Sequence, residues 1–118
     1  MVGLVLGALL VVGCQSAGPP AAPSADRLAH AQAMTPKDAK LAALYAQSCK
    51  ACHTVPDTGA PLAGDRAAWD PRWTKGMPAL LQSTVGGLNG MPAGGQCFAC
   101  KPADYEALIT FLAGRAEG

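Results

Sequence analysis

Cys49-Lys50-Ala51-Cys52-His53 is the stretch that decides how the rest of this 118-residue chain is interpreted. It has the Cys-x-x-Cys-His spacing of covalent c-type haem attachment. Two thiols three residues apart on one helical turn can each add to a vinyl group of one haem. The imidazole of His53 then faces the iron as its proximal ligand. Cys-x-x-Cys alone also occurs in thioredoxin-like and zinc sites, but the sequence lacks the strand pattern of a thioredoxin-like site.

The length and composition are those of one small domain with few large side chains to form a hydrophobic core. The net charge is +1 and charged residues make up 14%, so the composition does not indicate a nucleic-acid-binding protein. Aromatic residues make up only 5%. A domain of this size with so few aromatic side chains gains from a large apolar group, such as a haem, around which it can pack.

A second iron ligand is predicted at Met91, within Asn89-Gly90-Met91-Pro92. Met91 lies among glycine and proline rather than on a periodic helical face, which suits a thioether held on a stiff loop. A His/Met pair raises the potential of a haem iron and fills both axial positions. The other candidates are Met77, which falls on the apolar side of a helix, Met34, and His30, which is expected to be a solvated residue.

The five cysteines can be assigned in turn. Two belong to the haem motif and one, Cys14, is assigned to a lipid. Cys97 and Cys100 remain, and in an oxidising compartment they should form a local disulfide that stiffens the loop after Met91. A catalytic dithiol is the competing interpretation of this pair. A zinc module built from both pairs is a third possibility, but 44 residues separate Cys52 from Cys97, well beyond the usual spacing of about 15–20.

The N-terminus is predicted to be a targeting segment rather than part of the folded domain. Residues 1–13 are predicted to be a signal peptide, and Val11-Val12-Gly13-Cys14 resembles the lipobox of bacterial lipoproteins, with Cys14 as the acylated anchor. An ordinary secretory signal or an uncleaved anchor is the alternative, and the first residues lack the usual positive charge. The apolar run is shorter than the about 20 residues of a transmembrane helix. Residues 14–34 are rich in Pro and Ala and are predicted to be an extended tether.

The folded domain is predicted over residues 35–118, with helices as its elements. The first helix is expected to use Thr35 as its N-cap and to run into Cys49. A middle helix should span about Pro71 to Val85, in one or two pieces, and the last helix should begin at Pro102. Both terminal helices carry an apolar side, so they should pack across each other near the haem edge.

Two tryptophans, Trp69 and Trp73, flank Asp70-Pro71-Arg72. Each is expected to pack in the core. The alternative is that one of them, or Arg72, donates a hydrogen bond to a haem propionate.

From Thr35 to Gly114 the chain resembles a class I cytochrome c, and within that class the cytochrome c5 family of bacterial electron carriers. The matching residues are Cys49-Lys50-Ala51-Cys52-His53, Gly64-Asp65-Arg66-Ala67-Ala68-Trp69, Lys75-Gly76-Met77 with Leu80-Leu81, Gly90-Met91-Pro92-Ala93-Gly94-Gly95, and the pair Cys97 and Cys100. The resemblance implies an all-α fold of three to four helices around one covalently bound haem c. It also implies His53 and Met91 as axial ligands and a Cys97–Cys100 disulfide. The family's last helix usually opens with Ser and several acids, whereas this chain has Lys101-Pro102-Ala103-Asp104, which leaves the identity of its partners open.

These features predict an electron carrier rather than an enzyme. An iron with both axial positions filled suits outer-sphere electron transfer, and no acid–base or nucleophile constellation accompanies it. We therefore expect a lipid-anchored monohaem protein on the periplasmic side of a bacterial membrane, with respiratory complexes or other cytochromes as redox partners. The alternative is a haem protein from which Met91 dissociates, so that the iron binds a small ligand or serves in a peroxidase-like subunit.

Overall fold

The structure, a computed structural model, describes residues 21–116. The predicted signal peptide, the predicted anchor Cys14 and the first part of the predicted tether lie outside the described residues. In chain order the helices are α1 (Ala25–Ala33), α2 (Ala39–Gln47), α3 (Lys50–His53), α4 (Arg66–Trp73), α5 (Met77–Gly86), a 3-10 helix (Ala93–Gln96) and α6 (Pro102–Leu112). The described part contains no β-strand, so the predicted all-α fold class is confirmed. None of these helices combines the length and the apolar character needed to cross a membrane.

The described residues form more helices than the three to four expected from the resemblance. The predicted middle helix is divided into α4 and α5, because the chain turns at Gly76 with φ at +86°, a conformation that favours glycine. The haem-attachment motif forms its own short helix, α3, rather than the end of α2. The remaining addition is α1, which lies within the predicted tether.

Helix α1 shows that the folded part begins earlier than the predicted boundary at residue 35. Ala31 is fully buried, and Leu28 packs against the core. The Arg27 guanidinium lies 3.0 Å from the Asp65 carboxylate, which fixes α1 to the start of α4. The structure therefore differs from an extended tether over residues 25–34. The proline-rich stretch ends at Pro23, and the alanine-rich run after it consists of good helix formers.

Helix α2 is capped by a residue other than the one predicted. Oδ1 of Asp38 accepts the N–H of Leu41 at 2.8 Å, so Asp38 is the N-cap and the prediction of Thr35 is wrong. Pro36 is buried in the segment that leads into the helix instead of occupying its first turn.

The core lies where α2 crosses α6, as predicted for the two helices with apolar sides. The rings of Tyr45 and Phe111 meet edge to face, with centroids 5.0 Å apart, and both residues are almost fully buried. At one end of the crossing Lys40 Nζ lies 2.6 Å from Asp104 Oδ1, and the other Asp104 oxygen accepts the N–H of Lys101. Lys40 and this N–H hold the pKa of the Asp104 carboxyl below its usual range. The pair thereby fixes the start of α6 against α2.

Candidate haem site

The attachment motif folds as a single helical turn. The backbone N–H groups of Cys52 and His53 both donate to the carbonyl of Cys49, at 3.3 and 3.1 Å. This turn holds the two thiols and the imidazole together, as covalent haem attachment requires. Neither cysteine takes part in a disulfide; Cys49 is half-buried and Cys52 is exposed. Burial raises the pKa of the Cys49 thiol, against the opposing effect of its hydrogen bond with Ser48.

His53 is buried, with 6% of its surface exposed. Its Nδ1 lies 2.7 Å from the carbonyl oxygen of Pro61. Because a carbonyl only accepts, Nδ1 carries the proton and Nε2 keeps a lone pair for a metal. Burial lowers the pKa of His53, the hydrogen bond to Pro61 opposes this effect, and the charge of Arg72 lowers the pKa further. The neutral imidazole that results is the form that binds metals.

The loop after α3 holds this imidazole in place. The N–H of Ala63 donates to the carbonyl of His53 at 2.8 Å. Trp69 lies beside the imidazole, with ring centroids 5.9 Å apart, and its Nε1 donates to the carbonyl of Leu62 at 2.8 Å. The role of Pro61 was missed from the sequence, because a backbone carbonyl eight residues away leaves no signal in residue type.

The contacts of the tryptophans agree with core packing. The indole N–H of Trp69 donates to Leu62, so the alternative of a hydrogen bond to a propionate does not apply to this residue. The guanidinium of Arg115 stacks over Trp73 at 4.9 Å from the ring centroid. Arg72 donates from Nη1 to the carbonyl of Ala68, which leaves its other N–H groups for a further acceptor. A contact from Arg72 to a propionate stays a prediction.

Met91 lies at the end of a tight two-residue turn after α5. Its backbone N–H donates to the carbonyl of Leu88 at 2.9 Å, and Leu88 N–H donates back at 3.1 Å. Asn89, within the turn, has φ at +52°, and Gly87, just before it, has φ at +84°. Met91 is half-buried. The turn therefore presents Met91 on a hydrogen-bonded loop rather than on a helix, as the sequence suggested.

The segment after Met91 is stiffened by a disulfide. Cys97 and Cys100 are bonded, with Cα atoms 5.3 Å apart. Their sulfurs are thus not free thiolates for a zinc ion shared with Cys49 and Cys52. The hydroxyl of Tyr105 on α6 donates to the carbonyl of Cys97 at 3.1 Å. The disulfide loop is in this way connected to the core helix that crosses α2.

The other candidate ligands lie elsewhere. Nε2 of His30 and Sδ of Met34 both approach Gly64, since a Cβ built on that glycine would lie 2.8 and 2.4 Å from them. Gly64 belongs to the same loop as Pro61, whose carbonyl accepts from Nδ1 of His53. Met77 opens α5 and is half-buried. His30 and Met34 thus lie beside the loop between α3 and α4.

The described residues fit a haem. Helix α5 is strongly apolar, yet none of its side chains is fully buried by the protein. Leu80 and Leu81 are only half-covered, and Val85 is 49% exposed. Side chains of this kind suit packing against a large flat apolar group. An imidazole with a free Nε2 and a loop methionine are the axial donors of a c-type haem, and Cys49 and Cys52 supply its two points of covalent attachment.

Comparison with known proteins gives consistent matches. The family model described as cytochrome c oxidase, cbb3-type, subunit III, matches residues 36–112. Cytochrome c5 of Azotobacter vinelandii is 38% identical over 73 residues, covering 60% of this chain and 88% of the relative. Cytochrome c-555 of Chlorobaculum tepidum is 34% identical over 79 residues, covering 64% of this chain and 73% of the relative. Cytochrome c-555 of Chlorobaculum thiosulfatiphilum is 33% identical over 79 residues, covering 64% and 92%.

These matches confirm the resemblance found in the sequence and the haem c cofactor that it implies. The matched region contains the attachment motif, the Met91 turn and the disulfide loop, and it ends with α6. The chain belongs to the family described as cytochrome c oxidase, cbb3-type, subunit III, and is a class I c-type cytochrome with covalently bound haem c.

Proposed function

We propose that this protein is a monohaem electron carrier in which Cys49 and Cys52 hold the haem and His53 and Met91 are its axial ligands. The observation that carries this proposal is the hydrogen bond from Nδ1 of His53 to the carbonyl of Pro61, at 2.7 Å. It fixes the tautomer and the direction of the ring, so Nε2 is the nitrogen left for iron. When bound, haem iron supplies reversible one-electron chemistry.

The residues of the chain suit a carrier that changes little in shape between oxidation states. The proximal imidazole is held by Pro61, Ala63 and Trp69, and the Met91 turn is closed by two backbone hydrogen bonds. Rigid ligands lower the reorganisation that accompanies electron transfer, and a filled sixth position keeps small molecules from the iron. Such an arrangement favours a carrier over a catalytic or ligand-binding haem protein.

Replacing Met91 tests the ligand assignment. In holoprotein made with haem-maturation machinery, we expect wild type to show a low-spin c-type spectrum with the long-wavelength methionine–iron band. Met91→Ala should lose that band, become high-spin and bind imidazole or carbon monoxide quickly. Its reduction potential should fall, because His/Met ligation raises the potential of a haem iron. Absorption spectra of both oxidation states and a potentiometric titration provide the readouts.

Met77→Ala is the matched control, since Met77 is the first residue of α5 and belongs to its apolar side rather than to the Met91 turn. It should keep the methionine–iron band. A band that survives Met91→Ala and disappears in Met77→Ala would reassign the distal ligand to Met77. A high-spin wild type that binds carbon monoxide rapidly would instead support the ligand-binding or peroxidase-like alternative.

We further propose that the carrier is held at the periplasmic side of a bacterial membrane by acylation of Cys14, with residues 1–13 as its signal peptide. The sequence before Cys14 supports this, and α1 shortens the tether to the residues that precede Ser24. Ten residues span at most about 36 Å when fully extended. The domain would therefore stay close to the membrane and to redox partners in it.

Replacing Cys14 tests the anchor. Cys14→Ser should move the holoprotein from the membrane fraction to the soluble periplasmic fraction and leave its absorption spectrum unchanged, because acylation requires the cysteine thiol. Fractionation with haem staining provides the measurement. Equal membrane association of wild type and variant would contradict lipid anchoring and favour an uncleaved leader.

A further inference from the structure

Phe98 is the most exposed large apolar side chain in the described part of the chain, with 96% of its surface accessible. It lies between the bonded residues Cys97 and Cys100. The N–H of Phe98 donates to the carbonyl of Gln96, and that of Cys100 donates to the carbonyl of Cys97, both at 3.1 Å. The disulfide and these bonds restrict the backbone of the loop, from which the ring projects into solvent. An aromatic ring fixed in solvent indicates a contact surface.

A shallow groove lies beside this ring. It runs between the disulfide loop and the C-terminal end of α2, and its lining consists of uncharged residues. On the α2 side these are Leu44, Gln47 and Ser48, and on the loop side they include Gln96 and Ala99. An apolar side chain of a partner could enter the groove and pack against Phe98 without facing a charge.

The groove adjoins the proposed point of haem attachment. The hydroxyl of Ser48 lies 3.5 Å from Sγ of Cys49. A protein seated in the groove would therefore be in contact with the residues next to the thioether. Electron transfer becomes faster as the donor and acceptor approach, so this is a favourable place for a redox partner to dock.

Several charged side chains of the described surface form ion pairs, and none of these side chains lines the groove; Lys50, which follows Cys49, is also outside its lining. Lys40 pairs with Asp104, Arg27 with Asp65, and both Arg66 and Arg115 with Asp70. Lys101 follows the loop in sequence but is not among the residues that line the groove. The net charge of the whole chain is only +1. A surface of this kind recognises a partner by apolar contact rather than by strong electrostatic steering.

We propose that Phe98 and the adjacent groove form a docking surface for a redox protein that presents an uncharged, apolar patch. This inference rests on the proposed function, because the partner is useful only if Cys49 carries a redox-active haem. One aromatic ring buries about 150–250 Å², so the patch is far smaller than the roughly 1,200 Å² of a stable interface. Such a contact suits the short encounters of electron carriers and not a lasting dimer of this chain.

The holoprotein can be tested on gold electrodes coated with methyl-terminated or carboxylate-terminated alkanethiol films, which stand in for apolar and acidic partner surfaces. Wild type should give electroactive coverage on the methyl film that changes little between low and high salt. Phe98→Ser should reduce this coverage by about tenfold, which is the loss expected from about 1.4 kcal/mol of apolar contact. Phe98→Leu, which keeps an apolar side chain at the same position, is the matched control and should retain most of the wild-type coverage.

Each other outcome overturns the inference. Equal coverage of Phe98→Ser and wild type on the methyl film would show that the ring takes no part in docking. A preference of wild type for the carboxylate film, weakened by salt, would assign docking to lysines. A stable dimer that Phe98→Ser dissociates in sedimentation would assign the surface to a second copy. A potentiometric titration in solution separates these outcomes from failure of the proposed function, because it requires no docking. An irreversible haem there would contradict both proposals.

Discussion

Phe111→Ala should lower the free energy of unfolding of the holoprotein by about 3–5 kcal/mol, the usual cost of removing a buried phenylalanine ring. Phe111 is 1% exposed and packs edge to face on Tyr45 at the crossing of α2 and α6. Tyr45 lies one helical turn before Cys49, so a cavity at this crossing would also loosen the support of α3. Denaturation with guanidinium chloride, followed by haem absorbance and by circular dichroism, provides the measurement.

Two further variants separate the loss of the ring from other effects. Phe111→Leu keeps most of the apolar volume and should cost clearly less than the alanine variant. Tyr45→Phe keeps the ring and removes a buried hydroxyl that has no hydrogen-bond partner among the described residues. Burial, with a smaller effect of Cys49, raises the pKa of Tyr45 to about 12, so the group stays neutral. Tyr45→Phe should therefore be neutral or stabilising. A cost of Phe111→Ala below about 1 kcal/mol would show that this crossing is not the core.

Phe111 also shows what a helical pattern can and cannot predict. In α6 the spacing of Tyr105, Leu108, Ile109 and Leu112 correctly identified a helix with an apolar side, and the helix begins at Pro102 as predicted. The pattern predicted that Phe111 lies beside this apolar side rather than on it. The structure buries it more completely than Tyr105, because α6 packs against both α2 and α5. A helix between two neighbours has a wider buried face than a single stripe indicates.

The candidate site was predictable where its chemistry lies within a short stretch of sequence. The attachment motif and the Met91 turn are local patterns of residue type, so both could be identified before the fold was known. The contacts that orient His53 come from the carbonyl of Pro61 and from Trp69, which is 16 residues away in sequence. Helix α1 can pack where it does because Gly64 has no side chain, which leaves room for His30 and Met34. Contacts of this kind depend on tertiary structure and leave no local pattern.

Gly87→Ala should destabilise the Met91 turn and weaken the proposed distal ligand. Gly87 has φ at +84° and ψ at 152°, a conformation that is essentially confined to glycine and costs other residues about 1–3 kcal/mol. A Cβ there would lie 3.0 Å from the carbonyl oxygen of Met91 and 3.1 Å from the nitrogen of Ala93. Both are backbone atoms, so the added methyl group cannot be accommodated by a side-chain rotation, and the loop itself has to move.

The change should appear as a methionine–iron band that is lost at a lower temperature than in wild type, and as imidazole binding that is faster by about tenfold if the loop loses about 1.4 kcal/mol. Gly86→Ala is a closely matched control. It lies one residue earlier, at the end of α5, where a Cβ would meet nothing within 4 Å and φ is outside the left-handed region. That variant should keep the band and gain up to about 1 kcal/mol in stability from helix propensity. If both alanine variants bind imidazole at the wild-type rate, then the turn that follows Gly87 does not hold the sixth ligand, and Met91 loses its strongest structural support.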